Sequence, residues 1–185
     1  MKTLGIHDNH LGRFFTVSGV EFDLHEPRVD MIQLEDITTG LGNYCRYGGQ
    51  IERFYSVAQH SILVAMLAPE QYRREALLHD ASEAYVGDVI KPLKNLLGKS
   101  YAIYEAVIME LVCQRFNLNQ DNLDKVKSWD IMALELEHSA LRLKKPQSIR
   151  AWNELWAEYS YDGRCWMPRM SSDRLNQWFL ENNII

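Results

Sequence analysis

An all-α domain with one small N-terminal β-hairpin is the fold this sequence predicts, and three observations carry that prediction. Apolar residues recur at helical spacing almost everywhere from Met31 onward. Only Phe14 to Leu24 alternates like paired strands, around Ser18-Gly19. The chain of 185 residues has no linker, repeat or low-complexity tract, so residues 1–185 read as one domain.

Taken in order, the hairpin closes at Pro27. A helix from Ile32 to Tyr44 follows, loosened by Gly40 and Gly42. Arg46 to Arg53, with Gly48-Gly49, reads as a loop. Ser56 is an N-cap for Val57 to Ala68, which is apolar nearly all round and therefore expected to be buried. Pro69 introduces a helix from Glu70 to Tyr85 that Gly87 ends, and Pro92 and Gly98 punctuate a loop. Ser100 is expected to cap an amphipathic helix whose apolar face holds Tyr104, Val107, Ile108, Leu111 and Val112. Asp121 or Asn122 begins a long helix to about Leu143. Two more helices are expected near Ile149 to Tyr159 and Arg174 to Glu181, where the Trp152/Trp156 and Trp178/Phe179 pairs serve as core or as a homo-oligomer interface.

Composition excludes several classes. With 46% hydrophobic and 24% charged residues the chain is globular rather than disordered, and long enough to bury a core without staples. Twenty Lys and Arg against 25 Asp and Glu give a formal net charge of −5, which argues against a nucleic-acid-binding surface. Cys45, Cys113 and Cys165 are widely spaced and odd in number, unlike a disulfide framework or a cysteine zinc site. No apolar run is long enough for a membrane span, and Met1 to His10 lacks the pattern of a secretory signal, so a reducing, cytoplasmic compartment is expected.

The sharpest local feature is Ala76 to Asp88, where His79, Asp80, Glu83 and Asp88 interrupt an apolar segment. On one helix His79 and Glu83 stand at i, i+4 and Asp80 and Glu83 at i, i+3, sharing a side. Alone, this pattern also fits a partly exposed histidine beside surface acids. Two further polar residues stand on apolar stripes: His60, among Val57, Ser61, Val64 and Ala68, and Asp130, among Leu123, Val126, Ala133, Leu134 and Leu141. A core hydrogen bond would account for His60, and an ion pair with Lys127 for Asp130. One divalent cation held by His60, His79, Asp80 and Asp130 accounts for all of them, because burying such groups unpaired is costly.

The order His60 … His79-Asp80 … Asp130 resembles the signature of the HD-domain metal-dependent phosphohydrolases. Arg53 to Ser61 and Ala76 to Lys94 resemble compact bacterial and phage members, and similarity runs from about Thr16 to Glu135. The resemblance implies an HD-domain helical bundle and hydrolysis of a (deoxy)nucleotide phosphoester, most simply as in the 5′-deoxynucleotidases. It further implies catalytic roles for Glu83 and Asp88, a phosphate contact for Arg46 and another for Lys94. Gln59 departs from the glutamate of many relatives, and His7-Asp8 is a second His-Asp pair with no buried helix around it.

The chemistry also follows from the residue types. A metal neutralises phosphoryl oxygens and activates water, a nearby carboxylate takes a proton, and an arginine clamps phosphate. Imidazole with carboxylate suits Co, Mn, Zn or Fe, with Mg entering on substrate phosphates. Tyr47 beside Arg46 could stack on a nucleobase or simply pack, and Lys91 and Lys94 could be surface charges. Alternative functions are a deoxynucleoside triphosphate triphosphohydrolase and a non-catalytic metal- or nucleotide-binding domain. A cyclic dinucleotide phosphodiesterase of that superfamily would carry a Gly-Tyr-Pro motif, which is absent, and an alarmone hydrolase an extra Glu-Asp pair after the His-Asp, where Ser82-Glu83-Ala84 stands instead. His25 and His138 read as surface residues, and His7 and His10 as weak ligand candidates.

Overall fold

The computed structural model describes residues 12–184. The expectations for His7, Asp8 and His10 lie outside them. The expected hairpin is present. Strands β1 (Arg13–Phe15) and β2 (Glu21–Asp23) pair antiparallel with Phe14 opposite Phe22. Phe22 is buried and stacks on Tyr85 at 4.5 Å between ring centroids. At the turn, the Ser18 N–H and hydroxyl donate to the Asp36 carboxylate at 2.8 and 2.9 Å, fastening the hairpin to the next helix.

That helix, α1 (Leu34–Asn43), contains Gly40 and Gly42 for a reason other than looseness. A Cβ on Gly40 would lie 3.0 Å from the Ala84 backbone, and one on Gly42 would meet Ser172 and lie 3.0 Å from the Pro168 carbonyl. The two glycines let neighbouring chain segments approach α1 closely. Helix α2 (Val57–Leu67) is buried along nearly its whole length and forms the centre of the domain. Its N-cap is Ser56, whose hydroxyl accepts the Gln59 N–H at 3.0 Å, as the sequence predicts.

The expected helix over residues 70–85 is broken into α3 (Arg73–Leu78) and α4 (Glu83–Val86). Between them the chain makes i→i+3 bonds, such as Ala81 N–H to Leu78 O at 3.0 Å and Glu83 N–H to Asp80 O at 2.9 Å. The His79 ring supplies the cause. Its Nδ1 takes the Ala76 carbonyl at 2.7 Å, an acceptor that an uninterrupted helix would give to its own backbone. His79 and Glu83 are therefore related by a tightened turn rather than by one continuous α-helix.

The expected loop around Pro92 is helix α5 (Lys91–Leu97), with Pro92 in the first turn, where no N–H is needed. Helix α6 (Lys99–Phe116) starts after Gly98 at φ +61°, so Ser100 lies inside it and is no cap. Its buried face is Ile108, Val112 and Phe116, whereas Tyr104 and Val107 are exposed. Asn119 caps α7 (Gln120–Glu137), accepting the Asp121 and Asn122 N–H groups. The α-helix stops at Glu137, and a π-helical turn, His138–Arg142, completes the expected span. Helices α8 (Pro146–Glu158) and α9 (Pro168–Glu181) begin earlier than expected, each with its proline in the first turn.

Helices α1, α3, α7 and α9 surround α2. Trp152, Trp156, Trp166, Leu175, Trp178 and Phe179 all join the core, which answers the choice between core and subunit interface. Gln59, at the departure from the resembled pattern, has a packing role. Its side chain donates to the Arg164 carbonyl at 2.8 Å and accepts the Trp166 N–H at 2.9 Å, tying the C-terminal region to α2. No helix among the described residues is long and apolar enough to cross a membrane.

Candidate metal centre

Three segments meet at one point: α2 brings His60, the tight turn after α3 brings His79 and Asp80, and α7 brings Asp130. His60 Nε2 lies 3.0 Å from Asp130 Oδ1 and 3.6 Å from Asp80 Oδ2. His79 Nε2 lies 3.3 Å from Asp80 Oδ2 and 3.9 Å from Asp130 Oδ1. Ligand atoms of His60, His79 and Asp130 all fall within 4.8 Å of one another, a spacing that could hold a metal ion. Lys127, the partner considered for Asp130, pairs instead with Asp124 at 3.0 Å.

The two imidazoles are set for ligation. His60 Nδ1 meets Glu137 Oε1 at 2.6 Å, and His79 Nδ1 meets the Ala76 carbonyl at 2.7 Å. Both acceptors require the proton on Nδ1. In the neutral ring each Nε2 then carries a lone pair; both atoms are buried and, among the described residues, have no hydrogen-bond partner. Two orphaned Nε2 atoms facing two carboxylates fit a divalent cation in donor type and in orientation.

Glu137 is the residue that the sequence reading missed. It is fully buried and accepts from Tyr55 Oη at 2.9 Å and Tyr47 Oη at 3.0 Å, besides His60. Arg46 Nε stands 3.3 Å from its Oε2, and Arg46 Nη1 stands 3.8 Å from Asp80. The available signal was register: Glu137 lies two turns beyond Asp130 on the same stripe of α7. Arg46 is accordingly no solvated loop charge. Against burial, the Glu137 and Asp80 carboxylates raise its pKa further. Burial would raise Glu137, but Arg46 and His60 outweigh it and hold the carboxyl below its usual range.

The centre opens into a cleft of about 530 Å³ whose lining includes Arg46, Tyr47, Asp80, Glu83, Asp88, Lys94 and Asp130. Every substrate and catalytic residue expected from the sequence thus borders one space with Asp80 and Asp130, while His60 and His79 lie behind those carboxylates and do not line it. Gly87, at φ +87°, ends α4 and turns the chain toward Asp88, a conformation costly for any other residue. Glu83 is buried, with Oε1 accepting from Lys94 Nζ at 3.1 Å and Oε2 unpartnered. Burial, then the neighbouring Asp80 and Asp88 charges, push its pKa up to about 9. Burial is also the main cause that raises Asp88. Lys94 additionally donates to Glu105 at 2.6 Å, so its charge is already shared between two carboxylates. Tyr47, at φ +60°, has the Arg46 and Arg142 guanidiniums 5.7 and 5.0 Å from its ring centroid. His25 and His138 are exposed and stand apart from this cluster.

No family model matches the chain. The chain is 38% identical over 128 residues to the uncharacterized protein YfdR of Escherichia coli strain K12, a match covering 69% of this chain and 71% of that protein. It is 40% identical over 111 residues to the uncharacterized Rhodobacter capsulatus protein RCAP_rcc00048, covering 55% of this chain and 57% of that one.

Proposed function

The chain belongs to the family of the Escherichia coli protein YfdR, and we propose on that premise that it is a metal-dependent phosphohydrolase acting on (deoxy)nucleotides. The observation that carries the reading is the pair of buried, partnerless Nε2 atoms of His60 and His79, facing Asp80 and Asp130 at the base of a cleft. His60, His79, Asp80 and Asp130 would hold a divalent cation, which supplies Lewis acidity toward phosphoryl oxygens and acidifies water.

The chain's own groups do the rest. Glu83, with one carboxylate oxygen unpartnered and a raised pKa, is suited to exchange a proton with water or the leaving group near neutral pH. Asp88 borders the same space and shares that assignment. Arg46 is held by Glu137 and offers its fork to a phosphate beside Asp80. Lys94 donates to Glu83 and positions it.

The test is a phosphate-release screen of dNMPs, NMPs and dNTPs with Mn²⁺, Co²⁺, Zn²⁺ or Mg²⁺, with products separated by chromatography. Nucleoside plus orthophosphate indicates the 5′-deoxynucleotidase reaction, and release of intact tripolyphosphate indicates the triphosphohydrolase reaction. A metal-loaded protein that turns over none of them is a binding domain, and the proposal falls.

A further inference from the structure

The cleft contains a cation that the metal centre does not use. Arg142 lines it together with Asp130 and Leu134, yet among the described residues its guanidinium has no carboxylate partner. The two more deeply placed cations of the cleft already have carboxylate partners, Arg46 in Glu137 and Asp80, and Lys94 in Glu83 and Glu105, whereas Arg142 is exposed at its rim. Arg142 faces the cleft because of a specific backbone event. After Glu137 the helix widens, with Leu143 N–H bonding the His138 carbonyl at 2.9 Å, an i→i+5 contact. α-Helical spacing from Glu137 would present Leu141. The π turn presents Arg142 instead and sends Ala140 and Leu141 to a separate recess beside Trp152. The guanidinium rests 5.0 Å from the centroid of Tyr47, whose hydroxyl donates to Glu137, so its site is braced through the same network that orients His60. Lys91, also exposed and, among the described residues, without a carboxylate partner, lines the same cleft.

From this arrangement we infer that Arg142, seconded by Lys91, binds a substrate phosphate other than the one attacked at the metal centre, and so favours nucleotides with a phosphate chain over monophosphates. The inference rests on the phosphohydrolase reading for its substrate class. A rim guanidinium held on an aromatic face is suited to a flexible anionic chain, because it loses little freedom when it forms bidentate contacts.

Two measurements on the full, Mn²⁺-loaded chain test it, using Arg142→Met, which keeps an apolar stem over Tyr47, and Arg142→Lys. In calorimetry with excess Mn²⁺, Arg142→Met is expected to weaken binding of inorganic tripolyphosphate relative to orthophosphate by about tenfold or more, the scale of a lost charge-assisted contact. In kinetics the ratio of kcat/KM for a deoxynucleoside triphosphate over its monophosphate falls by a similar factor, and Arg142→Lys recovers part of it. Equal losses on short and long phosphates, or no loss, overturn the assignment. If no nucleotide is hydrolysed, the phosphohydrolase reading fails, while the tripolyphosphate-to-orthophosphate ratio still decides what Arg142 binds.

Discussion

Replacing Glu137 by glutamine should cost both stability and metal affinity, in amounts the structure allows to be worked out. The carboxylate receives three hydrogen bonds and faces Arg46, at distances from 2.6 to 3.3 Å, with no exposure to solvent. An amide fills the same volume but has only one oxygen. If its NH₂ takes the Oε2 place, it points a donor at buried Arg46, which loses its closest counter-charge. If it takes the Oε1 place, it meets His60 Nδ1–H, and the ring relieves the clash by moving its proton to Nε2, the atom needed as a metal ligand. Either arrangement forfeits at least one charge-assisted contact, about 2–4 kcal/mol in a buried setting. For a chain of this size that lowers Tm by roughly 4–16 °C. Metal affinity should fall about 10- to 100-fold, the usual effect of removing the group that orients a ligating histidine. Thermal denaturation of the metal-free protein reads the first effect, and competition with a chelator for Zn²⁺ or Mn²⁺ reads the second. A variant that melts earlier yet binds metal within about twofold of the parent would show that Glu137 serves the fold alone. One that loses neither property would refute the account of the network.

Substitutions at four other residues separate the remaining roles. His79→Ala should abolish metal binding, read by metal analysis of the purified protein, whereas Glu83→Ala should retain metal and lose turnover by about 10²-fold or more; equal metal loss in both would make Glu83 a ligand. Arg46→Ala should lower kcat/KM for a nucleotide by about tenfold or more, and Arg46→Lys should recover only part, because an ammonium lacks the planar fork. Folding must be checked alongside, since Arg46→Ala also leaves Glu137 buried without its ion partner, at a cost of about 3–5 kcal/mol. Gly40→Ala should destabilise by about 1–3 kcal/mol, because its methyl would press on the Ala84 backbone next to Glu83; an unchanged Tm would mean that α1 and α4 are free to separate.

How much of this was legible in the sequence depended on which residues report their surroundings by periodicity. His60 and Asp130 stood out because each interrupts an apolar stripe on an unbroken helix, and the Ser56 cap and the hairpin turn are local signals read without knowledge of the fold. The break after α3 was hidden because its cause is a histidine side chain competing for a backbone carbonyl, and helical φ and ψ persist at His79 and Ser82 on either side of the tight turn. Pro92 was misleading for a related reason, since a proline that punctuates a loop and one that opens a helix look alike without the next turn. Glu137 was overlooked because a glutamate near the end of a helix is ordinarily solvated. Its burial is set by Arg46, Tyr47 and Tyr55, far away in sequence, and its place two turns beyond Asp130 acquires meaning only once those partners are in position. Arg142 lay further out of reach, because α-helical periodicity assigns that face of α7 to Leu141. The exchange of a leucine for an arginine at the cleft follows from one widened turn, and that turn begins directly after the carboxylate that locks His60. The geometry that orients the metal ligand and the geometry that delivers Arg142 to the cleft are therefore consecutive features of one helix end, and a change that straightens the π turn should disturb both.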